Sequence, residues 1–342
     1  MSETILVPPE RAGLELDEFL CLHFPEFGKG FLRQAVRDGR ILLDGMRAQP
    51  SVRLRVDQVL IVELDDVEPP PAPVAPEAEL PILFEDEDLL VVDKPAGLAV
   101  EPERWARDAA TLAGALLALA RVRSGHEPDA DPSAGAPAPL ALRLRAVHRL
   151  DKDTSGVLVV AKHIESERFL RTAFEEDRVH KTYLALVEGE HPLADGVEEL
   201  IDFALGPDPK KSGRMVVDAH GKPSRTRIAV AQRFRGFTWM RCWPETGRTH
   251  QIRVHLSASG FPLAVDPVYG RRSELALSAI KAGYRQKRGQ IERPLVARLT
   301  LHAAEIELPA RAGGAPLRVT APLPKDLDKL LKQLGKVRAW NR

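Results

Sequence analysis

The sequence has few cysteines and no long apolar run, and both absences exclude classes of protein. Its two cysteines, Cys21 and Cys242, lie far apart and outside any CxxC spacing, which disfavours a disulfide framework or a thiolate metal site. No apolar run approaches the roughly 20 residues that span a bilayer. The N-terminal residues MSETILVPPERAG lack the basic and apolar segments of a secretory signal. We therefore expect a cytoplasmic protein that crosses no membrane.

The chain also lacks net charge, because 49 Lys and Arg balance 49 Asp and Glu. A balanced total does not by itself indicate a nucleic-acid partner, so the local distribution of charge matters more. Residues 208–255 contain 11 Lys or Arg against 3 Asp or Glu, and residues 271–290 form a second basic stretch with one acid. Scattered lysines usually form a solvated surface. Two arginine-rich stretches in a neutral protein instead favour contact with phosphates.

The length of 342 residues suggests two domains, one of them large. Residues 1–66 show two stretches of helical spacing followed by short strands, which predicts a small unit. The proline-rich residues 67–81 are typical of a semi-rigid linker. Residues 82–332 then form the large domain, and residues 333–342 a C-terminal tail.

The large domain contains many strand-like segments and few helices. Residues 126–142 are rich in Pro, Ala, Asp and Gly and predict a mobile surface loop. Alternating apolar residues predict strands in RLRAVHRL, residues 143–150, and in GRTHQIRVHL, residues 247–256. Many strands with few strand–helix–strand crossovers predict an α+β domain around a mixed or antiparallel sheet.

The stretch HRLDKDTSGVLVVAK, residues 148–162, places several charges directly before a β-branched run that is typical of a buried strand. Asp151 lies where a strand ends and a turn begins. An aspartate at such a position most often caps the turn by bonding backbone amides. A catalytic role would require a partner that keeps the carboxylate charged while it is removed from water.

An arginine from GRTHQIRVHL is a suitable partner, because it stays charged and can donate two parallel hydrogen bonds to a carboxylate. In a regular strand, Arg253 would share one face with Gln251 and His255, and Arg248 and His250 would share the other. A solvated edge strand explains these arginines equally well.

The histidines and tyrosines carry weaker signals. His148, His250 and His255 fit no strong metal motif, so structural or RNA-contacting roles are better interpretations. Tyr183, one of three tyrosines, lies on a predicted strand and would ordinarily be a core or half-buried residue. Its alternative role is to stack on a base that has left a helix.

Taken together in order, several motifs resemble the RluA-type family of RNA pseudouridine synthases, from about residue 80 to residue 332. The motifs are VVDKPAGLAV, HRLDKDTSGVLVVAK, KTYLALVEG, GRTHQIRVHL, DPVYG, LHA and VTAPLPKDLDKLL. The resemblance implies the α+β pseudouridine synthase fold, with a mixed, largely antiparallel central sheet and flanking helices. Residues 1–66 resemble the small α/β RNA-binding module called alpha-L, and a purely structural appendage is the alternative.

The same resemblance assigns roles to residues. Asp151 matches the catalytic aspartate, and Arg253 matches the basic residue paired with it. Tyr183 matches the tyrosine that stacks on uracil, and Arg149 matches the residue that enters the RNA stack when the base has left. Leu301 matches an apolar residue of the pocket. Three further residues are expected to contact substrate: His148, Thr154 and His250.

The implied reaction isomerises a uridine in structured ribosomal or transfer RNA to pseudouridine. It involves no redox change and no hydrolysis, so the resemblance implies no cofactor and no metal. We expect a monomer without an obligate protein partner. Whether Asp151 acts as a nucleophile or removes a ribose proton stays open. Two other classes remain as alternatives: a non-catalytic RNA-binding or assembly factor, and a hydrolase that uses Asp151 with His148.

Overall fold

A computed structural model describes most of the chain. The described residues are 3–24, 27, 29–64, 74–101, 109–123, 144–286, 289, 291–311 and 314–340. The predicted loop at 126–142 and residues 67–73 of the predicted linker lie outside them. None of the helices in these ranges combines the length and apolar character that a membrane span requires. Both cysteines are buried free thiols.

The N-terminal part of the chain forms a small antiparallel sheet with two helices. Its elements are β1 (Glu3–Leu6), α1 (Leu16–His23), α2 (Lys29–Asp38), β2 (Ile41–Leu43), β3 (Met46–Arg47) and β4 (Val59–Val62). The strand order is β1-β4-β2-β3. Asp44 and Gly45 join β2 to β3 with positive φ angles of 52° and 75°, as the Asp-Gly pair of a tight hairpin requires. Phe19 and Leu32 are fully buried in the core between helices and sheet.

The remaining elements form one large α+β unit. They are β5 (Ile82–Glu85), β6 (Leu89–Lys94), α3 (Leu112–Arg123), β7 (Arg145–Ala146), β8 (Ser155–Ala161), α4 (Ile164–Glu175), β9 (His180–Glu188), β10 (Glu198–Asp202), β11 (Leu205–Pro207), β12 (Met215–Val217), β13 (Arg225–Phe234), β14 (Phe237–Pro244), α5 (Gln251–Ala258), α6 (Leu277–Ile280), β15 (Leu301–Leu308), β16 (Leu317–Thr320) and α7 (Lys325–Val337). The predicted α+β class and mixed sheet are confirmed.

The ten-stranded sheet follows the order β10-β13-β14-β9-β15-β8-β6-β5, with β16 added beside β15 and β7 beside β8. Its two antiparallel halves meet at β8 and β15, which form the only parallel pair among the described strands. Gly156 allows this close pairing: its φ is +115°, and a Cβ there would lie 2.1 Å from the carbonyl oxygen of Ala303. The sheet therefore brings the chain before β8 next to the start of β15.

Both faces of the central sheet are covered, which explains why β8 is buried along its whole length. Val157 and Val159 pack with α4 on one face, whereas Leu158 and Val160 pack with α3 on the other. At β9 and β14, α5 covers one face and α7 the other. The site described below lies on the α5 side of β9, close to the parallel pair.

Two strand predictions were wrong. Of residues 143–150, the described ones (144–150) contain only the two-residue strand β7, and residues 251–258 form the helix α5. Residues 251–256 are all buried. The alternation of polar and apolar residues along them therefore does not mark one face toward solvent and one toward the core, which is what the strand prediction assumed. Gly260, with φ +87°, ends the helix, and the Phe261 amide bonds the Leu256 carbonyl at 2.9 Å.

The C-terminal boundary also differs from the prediction. Helix α7 continues past residue 332 to Val337. Leu327, Leu330 and Leu334 form its buried stripe, so part of the predicted tail belongs to the core of the large unit. The described part of the predicted linker begins at Val74 and contacts the same unit, because the Val74 carbonyl accepts a hydrogen bond from the Thr111 amide at 2.9 Å.

Candidate active site

Asp151 lies in the turn that leads into β8. The Thr154 amide bonds the Asp151 carbonyl at 3.0 Å, which closes the turn. The Asp151 side chain keeps 21% of its surface exposed, so solvent still reaches its carboxylate. Because this turn leads directly into β8, and Ser155 of β8 pairs with His302 of β15, Asp151 lies beside the start of β15.

A buried lysine holds this turn in place. The Lys94 ammonium is fully buried and donates to three carbonyls, those of Pro95, Leu98 and Lys152, at 2.8–2.9 Å. Burial lowers the pKa of Lys94 to about 7, against the opposing charges of Asp153 and Asp151. The lysine therefore ties the turn that carries Asp151 to the turn after β6.

Arg253 of α5 binds two carboxylates at once. Its Nη1 donates to Asp151 Oδ2 at 2.7 Å. Its Nε and Nη2 donate to the two oxygens of Asp266, at 2.7 and 2.9 Å. The guanidinium also lies over the Tyr269 ring, 4.9 Å from its centroid. Asp151 and Arg253 are 102 residues apart in the sequence, so only the fold brings them together.

Asp266 is the buried member of this arrangement. Its side chain is fully buried, and Oδ1 also accepts hydrogen bonds from the Val268 and Tyr269 amides at 2.8 and 3.0 Å. Burial alone would raise the pKa of Asp266, but the Arg253 bonds and charge outweigh it and lower that pKa. Burial likewise opposes the charge of Arg253, yet its two carboxylates raise its pKa. Both groups therefore stay charged at neutral pH.

His250 precedes α5 in a left-handed conformation, with φ 55°. This places its ring between two partners: Nδ1 lies 2.8 Å from the Tyr269 hydroxyl, and Nε2 lies 3.8 Å from Asp151 Oδ1. Burial lowers the pKa of His250, against the raising effect of the Asp151 charge. A neutral His250 that accepts from Tyr269 through Nδ1 carries its proton on Nε2, toward Asp151.

Tyr183 and Leu301 supply the apolar side of the site. Tyr183 pairs with Ala303 of β15 and Cys242 of β14, and its ring packs with the buried Leu301 in one hydrophobic cluster. Burial, with the Asp151 charge, raises the pKa of Tyr183, so its phenol stays protonated. The site thus combines a charged acid with a neutral aromatic ring.

Two further predicted site residues, Arg149 and Thr154, differ in their exposure to solvent. Arg149 is exposed, and its charge reaches His250 and lowers the pKa of that ring. Thr154 is buried, and its hydroxyl has no hydrogen-bond partner among the described residues.

His148 does not join the site. Its ring stacks on Phe174 at 4.7 Å, on the α4 side of the sheet, and its Nε2 accepts from the Val159 amide at 2.9 Å. Burial lowers the pKa of His148 to about 3. These contacts hold the ring on the α4 side of the sheet, which disfavours the predicted substrate contact of His148.

Sequence reasoning left three residues of the site without roles: Lys94, Asp266 and Tyr269. Asp266 and Tyr269 belong to the motif DPVYG, which was recognised only as a mark of resemblance. For Lys94 the available signal is a lysine at the end of the apolar run LLVVDK, which becomes β6.

A second polar network supports the strands beneath the site. Arg298 binds Asp326 of α7 through two bonds of 2.8 Å and donates to Ser155 Oγ at 3.1 Å. Ser155 Oγ lies 3.0 Å from Nδ1 of the fully buried His302. The network therefore joins β8, β15 and α7 directly behind Leu301.

Within the described ranges, no group of three or more His, Cys, Asp or Glu side chains is arranged to hold a metal ion. The absence of a metal and of a cofactor from the reaction stays a prediction.

Comparisons with known proteins agree with this geometry. The family model for RNA pseudouridylate synthase matches residues 88–258. The ribosomal large subunit pseudouridine synthase D of Pseudomonas aeruginosa is 37% identical over 328 residues, covering 96% of this chain and 94% of that protein. Its counterpart in Xanthomonas campestris is 35% identical, covering 96% and 91%. An uncharacterized RNA pseudouridine synthase of Bacillus subtilis is 32% identical, covering 97% and 98%.

Solved structures show the same fold. Human RNA pseudouridylate synthase domain containing 4 superposes with a TM-score of 0.56 at 24% identity, covering 74% of this chain and 92% of that one. Human RNA pseudouridylate synthase domain containing 1 gives 0.50 at 26% identity, covering 76% and 97%.

Proposed function

The chain belongs to the RNA pseudouridylate synthase family, and we propose that it modifies large-subunit ribosomal RNA with Asp151 as its reactive group. As an RNA pseudouridine synthase it is an isomerase. The bond from ribose C1′ to N1 of uracil breaks, the base turns, and C1′ bonds to C5. The proton on C5 is lost and N1 gains one, so the reaction is balanced without a further reactant.

The observation that carries the role of Asp151 is its contact with Arg253. That guanidinium donates to Oδ2 at 2.7 Å and is itself held by Asp266, so the carboxylate is oriented before substrate arrives. Asp151 Oδ1 lies 3.8 Å from His250 Nε2, and the side chain as a whole keeps 21% of its surface exposed. A charged, oriented and accessible acid suits either attack on the ribose or removal of its proton.

The target uridine must leave its helix to reach this acid. Extrusion costs a few kcal/mol. Stacking of the base on the Tyr183 ring contributes about 1–3 kcal/mol in return. The exposed Arg149 fills the gap in the RNA stack, and Leu301 and Thr154 line the base-binding pocket with His250.

The substrate is inferred from the relatives. Those of Pseudomonas aeruginosa and Xanthomonas campestris are named for the ribosomal large subunit and match the chain along almost its whole length. Residues 1–66 would add a second RNA-binding unit, with exposed Arg33 and Arg37 on helix α2. A cytoplasmic monomer without an obligate protein partner remains part of this proposal.

Substitution of Asp151 by asparagine tests the reactive group. We expect the variant to fold and bind RNA, but to form product at least about 10³-fold more slowly, the scale for loss of a nucleophile or base. Product is scored by carbodiimide labelling and reverse-transcription stops. Asp153→Asn, in the same turn, is the matched control and should retain most activity. Turnover of Asp151→Asn near the wild-type rate would refute the assignment.

The substrate RNA is tested separately. Pseudouridines are mapped across total cellular RNA with and without the gene. Loss of sites in large-subunit ribosomal RNA is expected, whereas loss confined to transfer RNA would contradict the proposed substrate.

A further inference from the structure

A cleft of about 270 Å³ lies at the far end of β9, and four arginines contribute to its lining. We call it the arginine cleft and define it by Arg235, Arg271, Arg272 and Arg338, which line it with Glu188. The four arginines come from the β13–β14 turn, the segment after DPVYG, and the residues after α7. Distant parts of the chain therefore converge on one positively charged surface.

Glu188 compensates only part of this charge. It forms an ion pair with Arg272, and its other oxygen lies 3.9 Å from Nε of Arg271. A second carboxylate, that of Glu190, lies at the rim and accepts from the amide of the lining residue Gly236 at 3.0 Å. Two carboxylates therefore stand against four guanidinium groups, and the cleft retains an excess of positive charge. The Arg271 side chain is 81% exposed, which leaves its donors available to an external anion.

The other two arginines, Arg338 and Arg235, each donate one hydrogen bond to a backbone carbonyl. Arg338 Nε donates to the Ile280 carbonyl at 2.6 Å, and Arg235 Nη2 donates to the Val337 carbonyl at 3.3 Å. A guanidinium has five N–H donors in a fork that matches phosphate oxygens. Both groups are therefore positioned by the fold, and most of their donors have no partner in the part of the chain that the structure describes.

The position of the cleft excludes the target uridine as its ligand. Glu188 follows Tyr183 by five residues on β9, which at about 3.3 Å per residue places it roughly 16 Å along the strand. An odd spacing also puts the two side chains on opposite faces of the sheet. Any RNA group in the cleft must therefore belong to a part of the substrate away from the extruded base.

An aromatic surface adjoins the arginine cleft. Ala339 pairs with Phe234, and the next residue, Trp340, lines a groove of about 450 Å³ and is 39% exposed as a residue. Phosphate-binding arginines beside an exposed aromatic ring are the combination that proteins use to hold single-stranded RNA. This combination favours a nucleic acid over an isolated small anion.

We propose that the arginine cleft binds a backbone phosphate of the substrate RNA outside the target loop, with Trp340 stacking on a neighbouring base. The proposal rests on the RNA pseudouridine synthase activity and adds a remote anchor to it. A short stem-loop that carries only the target uridine cannot reach this anchor, whereas a long ribosomal RNA domain can.

The test compares these two RNAs with the double variant Arg235→Gln/Arg271→Gln. On the long RNA we expect about tenfold weaker binding, and a slope of log affinity against log salt that falls by about 1–2, near one for each lost contact. On the stem-loop, kcat/KM should stay within twofold of wild type. Trp340→Ala should weaken binding of the long RNA without changing the salt slope.

The matched control is Arg178→Gln/Arg318→Gln, which removes two exposed arginines that pair with Glu176 and Glu307 on other surfaces. Equal effects of the two double variants, or unchanged binding of the long RNA, would overturn the proposal. So would an equal loss on the stem-loop, because it would place the cleft at the target loop. Failure of the proposed function is distinct, since wild-type protein would then form no product on either RNA.

Discussion

Arg253 holds two carboxylates that differ in their exposure to water, and this difference separates their roles. Asp266 is fully buried and receives two guanidinium bonds and two amide bonds. Asp151 receives one guanidinium bond and keeps a fifth of its side chain exposed. The buried acid therefore orients the arginine, and the exposed acid is left to meet substrate.

Asp266→Asn tests this division at the residue scale. It keeps the side-chain volume but removes the charge that compensates Arg253. Breaking a buried ion pair costs about 3–5 kcal/mol, and a guanidinium displaced by about 1 Å can cost up to 10²-fold in rate. We therefore expect a lower free energy of unfolding in urea and a single-turnover rate reduced about 10–100-fold.

The control for this variant is Asp328→Asn, which removes an exposed partner of Lys332 on α7. Such surface pairs contribute about 0–1 kcal/mol, so neither stability nor turnover should change much. A single-turnover rate of Asp266→Asn equal to wild type would show that Asp266 does not position Arg253 for the reaction.

At the scale of elements, the pairing of β8 with β15 decides where the acid lies. Gly156→Ala would press a methyl group against the Ala303 carbonyl and place alanine at φ +115°. Backbone strain of about 1–3 kcal/mol and overpacking of about 1–3 kcal/mol should together lower stability by about 2–6 kcal/mol. Gly30→Ala on helix α2 meets no atom within 4 Å and should be neutral or stabilising by up to about 1 kcal/mol. Equal melting temperatures for the two variants would contradict the close approach.

The network behind these strands predicts a response to acid. Burial lowers the pKa of His302 to about 4, from 6.5 in an exposed histidine. As the pH falls below 6.5, the imidazole of His302 becomes protonated in the unfolded chain but stays neutral in the folded chain until the pH approaches 4. The free energy of unfolding should therefore fall between pH 6.5 and 4, by about 3 kcal/mol from this residue.

His302→Asn checks this response, because asparagine does not titrate in that range. Urea unfolding at several pH values between 7 and 4 should show a shallower loss of stability for the variant than for wild type. His148 contributes in the same window, since its pKa is lowered to about 3, and the variant should retain that part. Identical slopes for both proteins would show that His302 is not the group that titrates.

At the scale of the whole molecule, the N-terminal unit has its own core. Its buried apolar residues all lie between Ile5 and Leu64, and Ile164 of α4 packs against them from the large unit. Arg168 of α4 also donates to Glu18 at 2.6 Å, in a partly exposed pair of a kind that contributes about 0–1 kcal/mol. These contacts attach the N-terminal unit without making the large core depend on it.

A chain that begins at residue 67 tests what the N-terminal unit does. It keeps Val74, whose carbonyl accepts the Thr111 amide hydrogen bond. We expect normal kcat on the target stem-loop and at least about tenfold weaker binding of long ribosomal RNA, because phosphate contacts dominate such affinities. Full-length Arg168→Gln, which loses only the pair with Glu18, is the control. Equal affinity of the shortened and full-length chains for long RNA would make residues 1–66 a structural appendage.

Local pattern determined much of the architecture. The apolar β-branched run after Asp151, the turn residues around it and the leucine spacing in α7 specify their elements through interactions between near neighbours. The resemblance of the motifs, all readable in the sequence, placed Asp151, Arg253 and Tyr183 in one proposed site. The elements follow from interactions between residues close in the chain, and the proposed site follows from the order of the motifs.

Tertiary structure alone decided the rest. Residues 251–256 are buried on every side, so hydrophobic alternation predicted a strand where packing selects a helix. In that helix Arg253 binds Asp151 and Asp266. Elsewhere, the ring of His148 stacks on Phe174 and accepts a hydrogen bond from the Val159 amide, instead of lying at the site. Contacts between residues far apart in the chain depend on strand order and on which face each element covers, and neither is encoded in local periodicity.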